Sequence, residues 1–183
     1  TRQFDPDRFL SFNRNFLEAY RNKVALPPGD VLPVFTLGTE STLGFIGRSL
    51  NGERFAKGSS LFSGKLGQQL FSERITIELN RDPLRKGRPF FDAEGVVLPG
   101  DSLPLIEEGK LTKLLTDKKT AQLYQLAHTG AATGNYDDPP TIDGAHGASL
   151  AFRTDTADIS KALQGQMAIF ILMASGGDFT ADG

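Results

Sequence analysis

Apolar residues recur at helical spacing after Asp5 and Pro6: Phe9, Leu10, Phe16, Leu17, Tyr20 and Val24 fall on one face of a single helix. Asp5 supplies the cap and Pro6 the first turn, and Pro27, Pro28 and Gly29 stop it. VLPVFTL, residues 31–37, reads as a strand, with Pro33 placing it at an edge or a strand start. A weaker helix is expected over 39–50, then NGERFAKGSS, residues 51–60, as a glycine-punctuated loop. ITIEL, residues 75–79, alternates as a half-buried strand, and NRDPLRKGRP, residues 80–89, is a charged connection. Residues 103–106 and 111–115 form the arms of a hairpin turned at 107–110, with Leu103, Leu105 and Leu111 on its buried face. Asp117 caps a helix over 118–127, and residues 129–147 make a loop of the length that usually carries function. A helix over 156–164 and a buried strand over 167–172 complete the series. Strands and helices interleave irregularly around a hairpin, so the expected class is α+β, a mixed and mainly antiparallel sheet with flanking helices.

Length and composition narrow the function. A chain of 183 residues, 39% hydrophobic, can bury roughly 70% of its unfolded surface as one domain, residues 1–183. Its formal charge of −2 offers no basic field for nucleic acid. Zero cysteines exclude disulfides, thiol nucleophiles and zinc–thiolate sites, in keeping with a reducing compartment. No stretch reaches eighteen uninterrupted apolar residues, and the start lacks a leader pattern, so no membrane partner is expected and the location is cytoplasmic. The chain opens without methionine and closes on a polar turn, GGDFTADG, and so reads as incomplete.

Each chemical candidate has a structural counterpart. Asp92 and Glu94 could form a general acid–base pair, which needs both carboxylates on one side of a cleft with their pKa values driven apart. Gly95 instead suggests a turn in which Asp92 accepts backbone hydrogen bonds. His128 and His146 are the only imidazoles, eighteen positions apart, whereas helical zinc motifs place histidines one turn apart. Ser59, Ser60, Ser63, Gly64 and Lys65 lie in a glycine-containing loop, yet neither a phosphate-binding nor a nucleophile-elbow motif is present. Lys110, Lys113, Lys118 and Lys119 are offset by Glu107, Glu108 and Asp117, a mixed solvated rim rather than a basic patch.

Three segments together resemble a known family. GERFAKGSSLFSGKLGQQLFSERITIELNRDP, FFDAEGVVLPGDSLPLIEEGKLTKLLTDKKTA and TGNYDDPP follow the order found in the carboxy-terminal half of the TldD/PmbA proteins, described as metallopeptidases and as proposed modulators of DNA gyrase. The likeness spans about residues 31–135. It implies a two-domain chain that pairs with a second copy or with a TldD-like partner subunit. It also implies, for the TldD-type subunit, zinc held on an H-E-x-x-x-H helix just before the serine loop and completed by a distant cysteine.

Counted back from Ser60 without gaps, those helical ligand positions fall on Leu43, Gly44 and Arg48. Leu43 offers no lone pair, Gly44 no carboxylate, and the Arg48 guanidinium would repel a cation. The resemblance is therefore to the PmbA-type half, which lacks the metal ligands, and no metal or other cofactor is expected. The leading expectation is a scaffold or substrate-chamber domain of a peptidase assembly that takes an extended peptide by strand addition. Its candidate substrate-binding residues are Arg48, Ser60, Asp92, Glu94 and Asn135. One alternative is an active zinc peptidase whose ligands lie outside this segment or on a partner. The other is a free-standing interaction module connected with gyrase, to which the acidic balance lends no support.

Overall fold

The computed structural model describes residues 5–26, 32–36, 42–86, 89–134, 137–142, 150–154 and 163–171. The chain divides into two compact units, Thr1–Pro33 and Val34–Gly183. In the first, α1 (Pro6–Arg21) forms for the reasons its sequence advertises: Arg8 N–H donates to Asp5 Oδ1 at 3.0 Å, and Pro6 stands where an amide proton would have no helical partner. It closes when Asn22 N–H bonds Glu18 O at 3.0 Å, before the last apolar residue of the pattern, Val24. No α1 residue is buried.

The second unit is built on a four-stranded antiparallel sheet in the order β4-β3-β2-β7. Its strands are β2 (Thr76–Asn80), β3 (Ser102–Glu107), β4 (Lys110–Leu111) and β7 (Leu150–Arg153). The expected hairpin is β3–β4, with Ile106 opposite Leu111 and Glu107 opposite Lys110. Its second arm is shorter than the apolar run suggested. Glu108 and Gly109 turn it with φ of 47° and 79°, the left-handed pair of a tight hairpin turn. Glycine is required at 109, because a Cβ there would overlap Phe71 O and the Gln69 side chain.

Leu105 and Leu111 are wholly buried, as expected, whereas Leu103 is half-buried. The β2–β3 register explains why Leu105 and Ile106 are both inaccessible although they are neighbours. Ile77 pairs with Ile106 and Glu78 with Pro104, so Leu105 is the extra residue of a bulge, and its carbonyl accepts from Thr112 N and Lys113 N. The bulge also accommodates Pro104, which has no N–H to give a ladder. Leu50, Phe62, Ile77, Leu79, Leu105 and Leu115 anchor the core, and Phe62 meets Phe71 edge-on at 6.0 Å.

Around the sheet lie β1 (Val34–Thr36), α2 (Thr42–Ser49), α3 (Gly52–Ala56), α4 (Pro83–Lys86), α5 (Lys118–Tyr124), β5 (Ala132–Thr133), β6 (Thr141–Ile142) and β8 (Ile169–Ile171). β1 and β8 pair in parallel, and β5 and β6 antiparallel. Several expectations are corrected. The segment read as a loop over 51–60 begins with α3, capped by Asn51 Oδ1 on Arg54 N at 3.0 Å. Gly52 belongs there for packing, since its N–H reaches Leu115 O at 2.8 Å and a Cβ would meet Thr116 Cγ2 at 2.8 Å. The long loop after Thr129 holds the β5–β6 pair. β7 was not foreseen, because LAFR is too short to show alternation. Residues 155–162, most of the last expected helix, lie outside the described residues.

Candidate functional site

Asp92 is 2% exposed and is held by backbone amides from two directions. Its Oδ1 accepts Glu94 N at 2.9 Å and Val96 N at 2.8 Å, and its Oδ2 accepts Ala132 N at 3.2 Å. Gly95 N–H bonds Asp92 O at 3.0 Å with φ of 75° at Gly95, so the DAEG stretch is a turn whose side chain completes it. Glu94 has other partners. Its Oε2 accepts Lys118 N, the first amide of α5, at 2.9 Å, while Lys118 Nζ donates to Glu94 O at 3.1 Å. Asp117 adds the ordinary cap, accepting Thr120 N at 2.7 Å.

The third segment of this latch is 128–132. His128 Nε2 stands 3.6 Å from Glu94 Oε2, and Ala93 N–H donates to Ala132 O at 3.1 Å. Just behind, Thr116 and Thr129 bond reciprocally, each N–H to the other's Oγ1 at 2.8 and 2.9 Å. The buried Arg81 guanidinium donates to Phe91 O at 3.2 Å and Gly130 O at 3.1 Å.

Asp92, Glu94 and His128 bring one possible ligand atom each within 4.8 Å of one another, the one such cluster among the described residues. The donor set fits a metal poorly. Both Asp92 oxygens already face amide protons, and Glu94 Oε2 takes the first amide of α5, so a cation here would compete with backbone hydrogen bonds. Nor does a carboxylate turned into its own backbone reach a substrate as acid or base.

The other sequence candidates lie apart from this cluster. Ser60 Oγ donates to Ser49 O at 2.5 Å and accepts Phe62 N at 3.0 Å; Ser63 Oγ donates to Phe55 O at 3.2 Å. These hydroxyls stitch the segment after α3 back onto α2 and α3. Arg48 is exposed, with its guanidinium 4.4 Å from the Phe45 ring centroid. α2 as a whole, TLGFIGRS, carries neither imidazole nor carboxylate. Asn135 and His146 lie outside the described residues.

A second constellation was not legible in the sequence. Glu78, in the strand expected to be half-buried, is 3% exposed and pairs with Arg153 of β7. Burial pushes its pKa up, but hydrogen bonds from Asn80, Ser102 and Arg153, with the Arg153 charge, outweigh that and hold it below the usual carboxylate range. These residues, with Asp82, Gly100 and Asp101, line a cleft of about 270 Å³. Its side chains come from separate strands, and no local pattern could have joined positions 78 and 153.

Comparison with known proteins follows the same outline. A family model described as the PmbA/TldA metallopeptidase C-terminal domain matches residues 37–176. A metalloprotease TldD homolog of Haemophilus influenzae is 36% identical over 110 residues, 58% of this chain and 22% of the relative. A metalloprotease of Methanothermobacter thermautotrophicus is 32% identical over 97 residues, 53% of this chain and 21% of the relative. The chain thus spans about a fifth of the length of these relatives. The crystal structure of TldE from Thermococcus kodakarensis is similar in fold, with a TM-score of 0.60 and 22% identity over 80% of this chain and 33% of that one. So is a proposed modulator of DNA gyrase from Bacteroides thetaiotaomicron, with a TM-score of 0.60 and 17% identity over 82% of this chain and 32% of that one.

Proposed function

The chain belongs to the PmbA/TldD metallopeptidase family through its carboxy-terminal domain, and from that membership we propose a non-catalytic, chamber-forming role in a peptidase assembly. One observation carries the proposal: α2, on which the family resemblance would place a zinc helix, presents Leu43, Gly44 and Arg48 at the ligand positions. The zinc implied by the family does not fit these residues, and the Asp92–Glu94–His128 cluster offers oxygens already committed to amides.

What the domain offers a peptide is charge. The Glu78 cleft lies beside the Arg153 end of β7, with three carboxylates, Glu78, Asp82 and Asp101, around one guanidinium. A peptide with a basic side chain over this cleft is the reading that supports a chamber role, in a cytoplasmic assembly of two copies or of this chain with a TldD-like subunit. Amide hydrogen exchange in the presence of an unstructured basic peptide tests it. Added protection on residues 78–82 and 100–102, with the peptide recovered uncleaved, supports the proposal; unchanged exchange there, or a cleaved peptide, contradicts it.

A further inference from the structure

Asn51 is the one asparagine of the chain that precedes a glycine. In an open chain such a pair is chemically weak, because a following residue without a Cβ lets its backbone nitrogen swing onto the asparagine side-chain carbon with little hindrance. The bond from Gly52 N to Asn51 Cγ forms as the side-chain nitrogen departs, taking the Gly52 amide proton with it as ammonia. Water then opens the five-membered imide at either carbonyl, leaving aspartate or its β-linked isomer, isoaspartate.

The folded chain holds each participant away from this reaction. At Asn51 ψ is 118°, which turns Gly52 N away from Cγ, whereas ring closure needs that nitrogen nearly eclipsed with Cβ. The Gly52 amide proton goes to Leu115 O at 2.8 Å, and Leu115 N goes to Leu50 O at 2.8 Å, a parallel bridge between Asn51 and Leu115. The side-chain amide is tied at both ends: Oδ1 accepts Arg54 N at 3.0 Å, and Nδ2 donates to Ile142 O at 3.2 Å. Asn51 is 8% exposed and Gly52 is buried as well.

These bonds join three segments: α3, the stretch after β4 at Leu115, and β6. Neither product restores them. Aspartate still caps Arg54 N, but it sets a buried carboxylate oxygen against Ile142 O where the amide had a donor. Isoaspartate routes the main chain through the former side chain and lengthens it by one carbon just before Gly52. There an added methyl group would already meet Thr116 Cγ2 at 2.8 Å and Leu115 O at 2.9 Å.

We infer that Asn51–Gly52 is a guarded deamidation site: the junction of α3, Leu115 and β6 suppresses the reaction while closed, and opening of that junction permits a change that frees β6 from α3 irreversibly. The site is a one-way record of local opening. It is independent of the peptide reading at the Glu78 cleft.

Peptide mapping by mass spectrometry tests this on the whole chain, held at mildly alkaline pH with and without urea. In urea Asn51 converts ahead of the other five asparagines. In buffer its conversion is at least about 30-fold slower, equivalent to an opening free energy of about 2 kcal/mol. Ile142→Ala thins the packing beside the junction and leaves the reacting pair intact; it speeds conversion in buffer about tenfold and leaves the rate in urea unchanged. Asn51→Asp, one of the two products, speeds amide exchange at Gly52 and Leu115 at least about tenfold. Retained exchange protection in β2 and β3 shows that both variants remain folded, and Ile142→Val serves with a smaller rise if Ile142→Ala loses that protection. Conversion in buffer within about threefold of that in urea overturns the inference, as does an Asn51 no faster in urea than the other asparagines. So does a rate in buffer indifferent to the Ile142 variant, or unchanged exchange at Gly52 and Leu115 in Asn51→Asp.

Discussion

Asp92 and Glu78 are both buried carboxylates, 2% and 3% exposed, and they are satisfied in opposite ways. Asp92 is met by backbone amides, two of them from its own turn at Glu94 and Val96. Glu78 is met by side chains of three strands, one of them Arg153, seventy-five positions away and largely exposed. The first arrangement is made by main-chain amides, two of them local; the second depends on a guanidinium that water can also satisfy. Carboxylates of the first kind build a fold, and those of the second kind leave a cleft that a ligand could enter.

The contrast breaks first at Asp92. Asp92→Ala leaves three amide donors without an acceptor and costs about 3–5 kcal/mol, read as a loss of unfolding free energy in urea. Asp92→Asn, which keeps an acceptor oxygen, recovers much of that. Equal losses in the two variants would show that packing, not hydrogen bonding, holds the turn.

Arg153→Ala has the next largest effect, about 1–3 kcal/mol after discounting for the exposure of that side chain, because the buried Glu78 loses its counter-charge while Asn80 and Ser102 remain. The pH dependence sharpens this. The folded-state pKa of Glu78 lies below its ordinary 4.5, so the unfolded chain takes up the proton first as the solution is acidified. Stability from this group is full above pH 4.5 and is lost as pH falls through the lower, folded pKa. Glu78→Gln therefore flattens the decline of Tm with acid below pH 4.5; an unchanged slope would show that Glu78 is not held ionised.

His128→Ala has the smallest effect, under about 1 kcal/mol, since a contact at 3.6 Å between partly exposed partners contributes little. A larger loss would mean that His128 has a role beyond facing Glu94.

The same contrast explains how far the sequence could be read. Wherever a feature closed within a few residues, it was legible: the Asp5 and Asp117 caps and the Glu108–Gly109 turn; the half-buried alternation expected of ITIEL was not, since β2 is buried on both faces. α3 escaped because its Asn51 cap sits among glycines that suggested a loop, although Gly52 is small for packing against Leu115 and Thr116. β7 and the Glu78 cleft escaped because strand pairing across seventy-five positions leaves no periodic trace. Among the candidate site residues, Asp92 and Glu94 do share a cluster with His128, yet the amides that reach them from outside the turn belong to residues 118 and 132, whose proximity only the fold creates.

The central claim, that this domain carries no hydrolytic metal of its own, is tested most directly by measuring zinc content and peptide cleavage on one preparation purified without chelator. The account predicts zinc well below one equivalent and no cleavage that a chelator changes. One equivalent of zinc with chelator-sensitive cleavage, both lost in His128→Ala, would contradict it and make Asp92, Glu94 and His128 a metal centre.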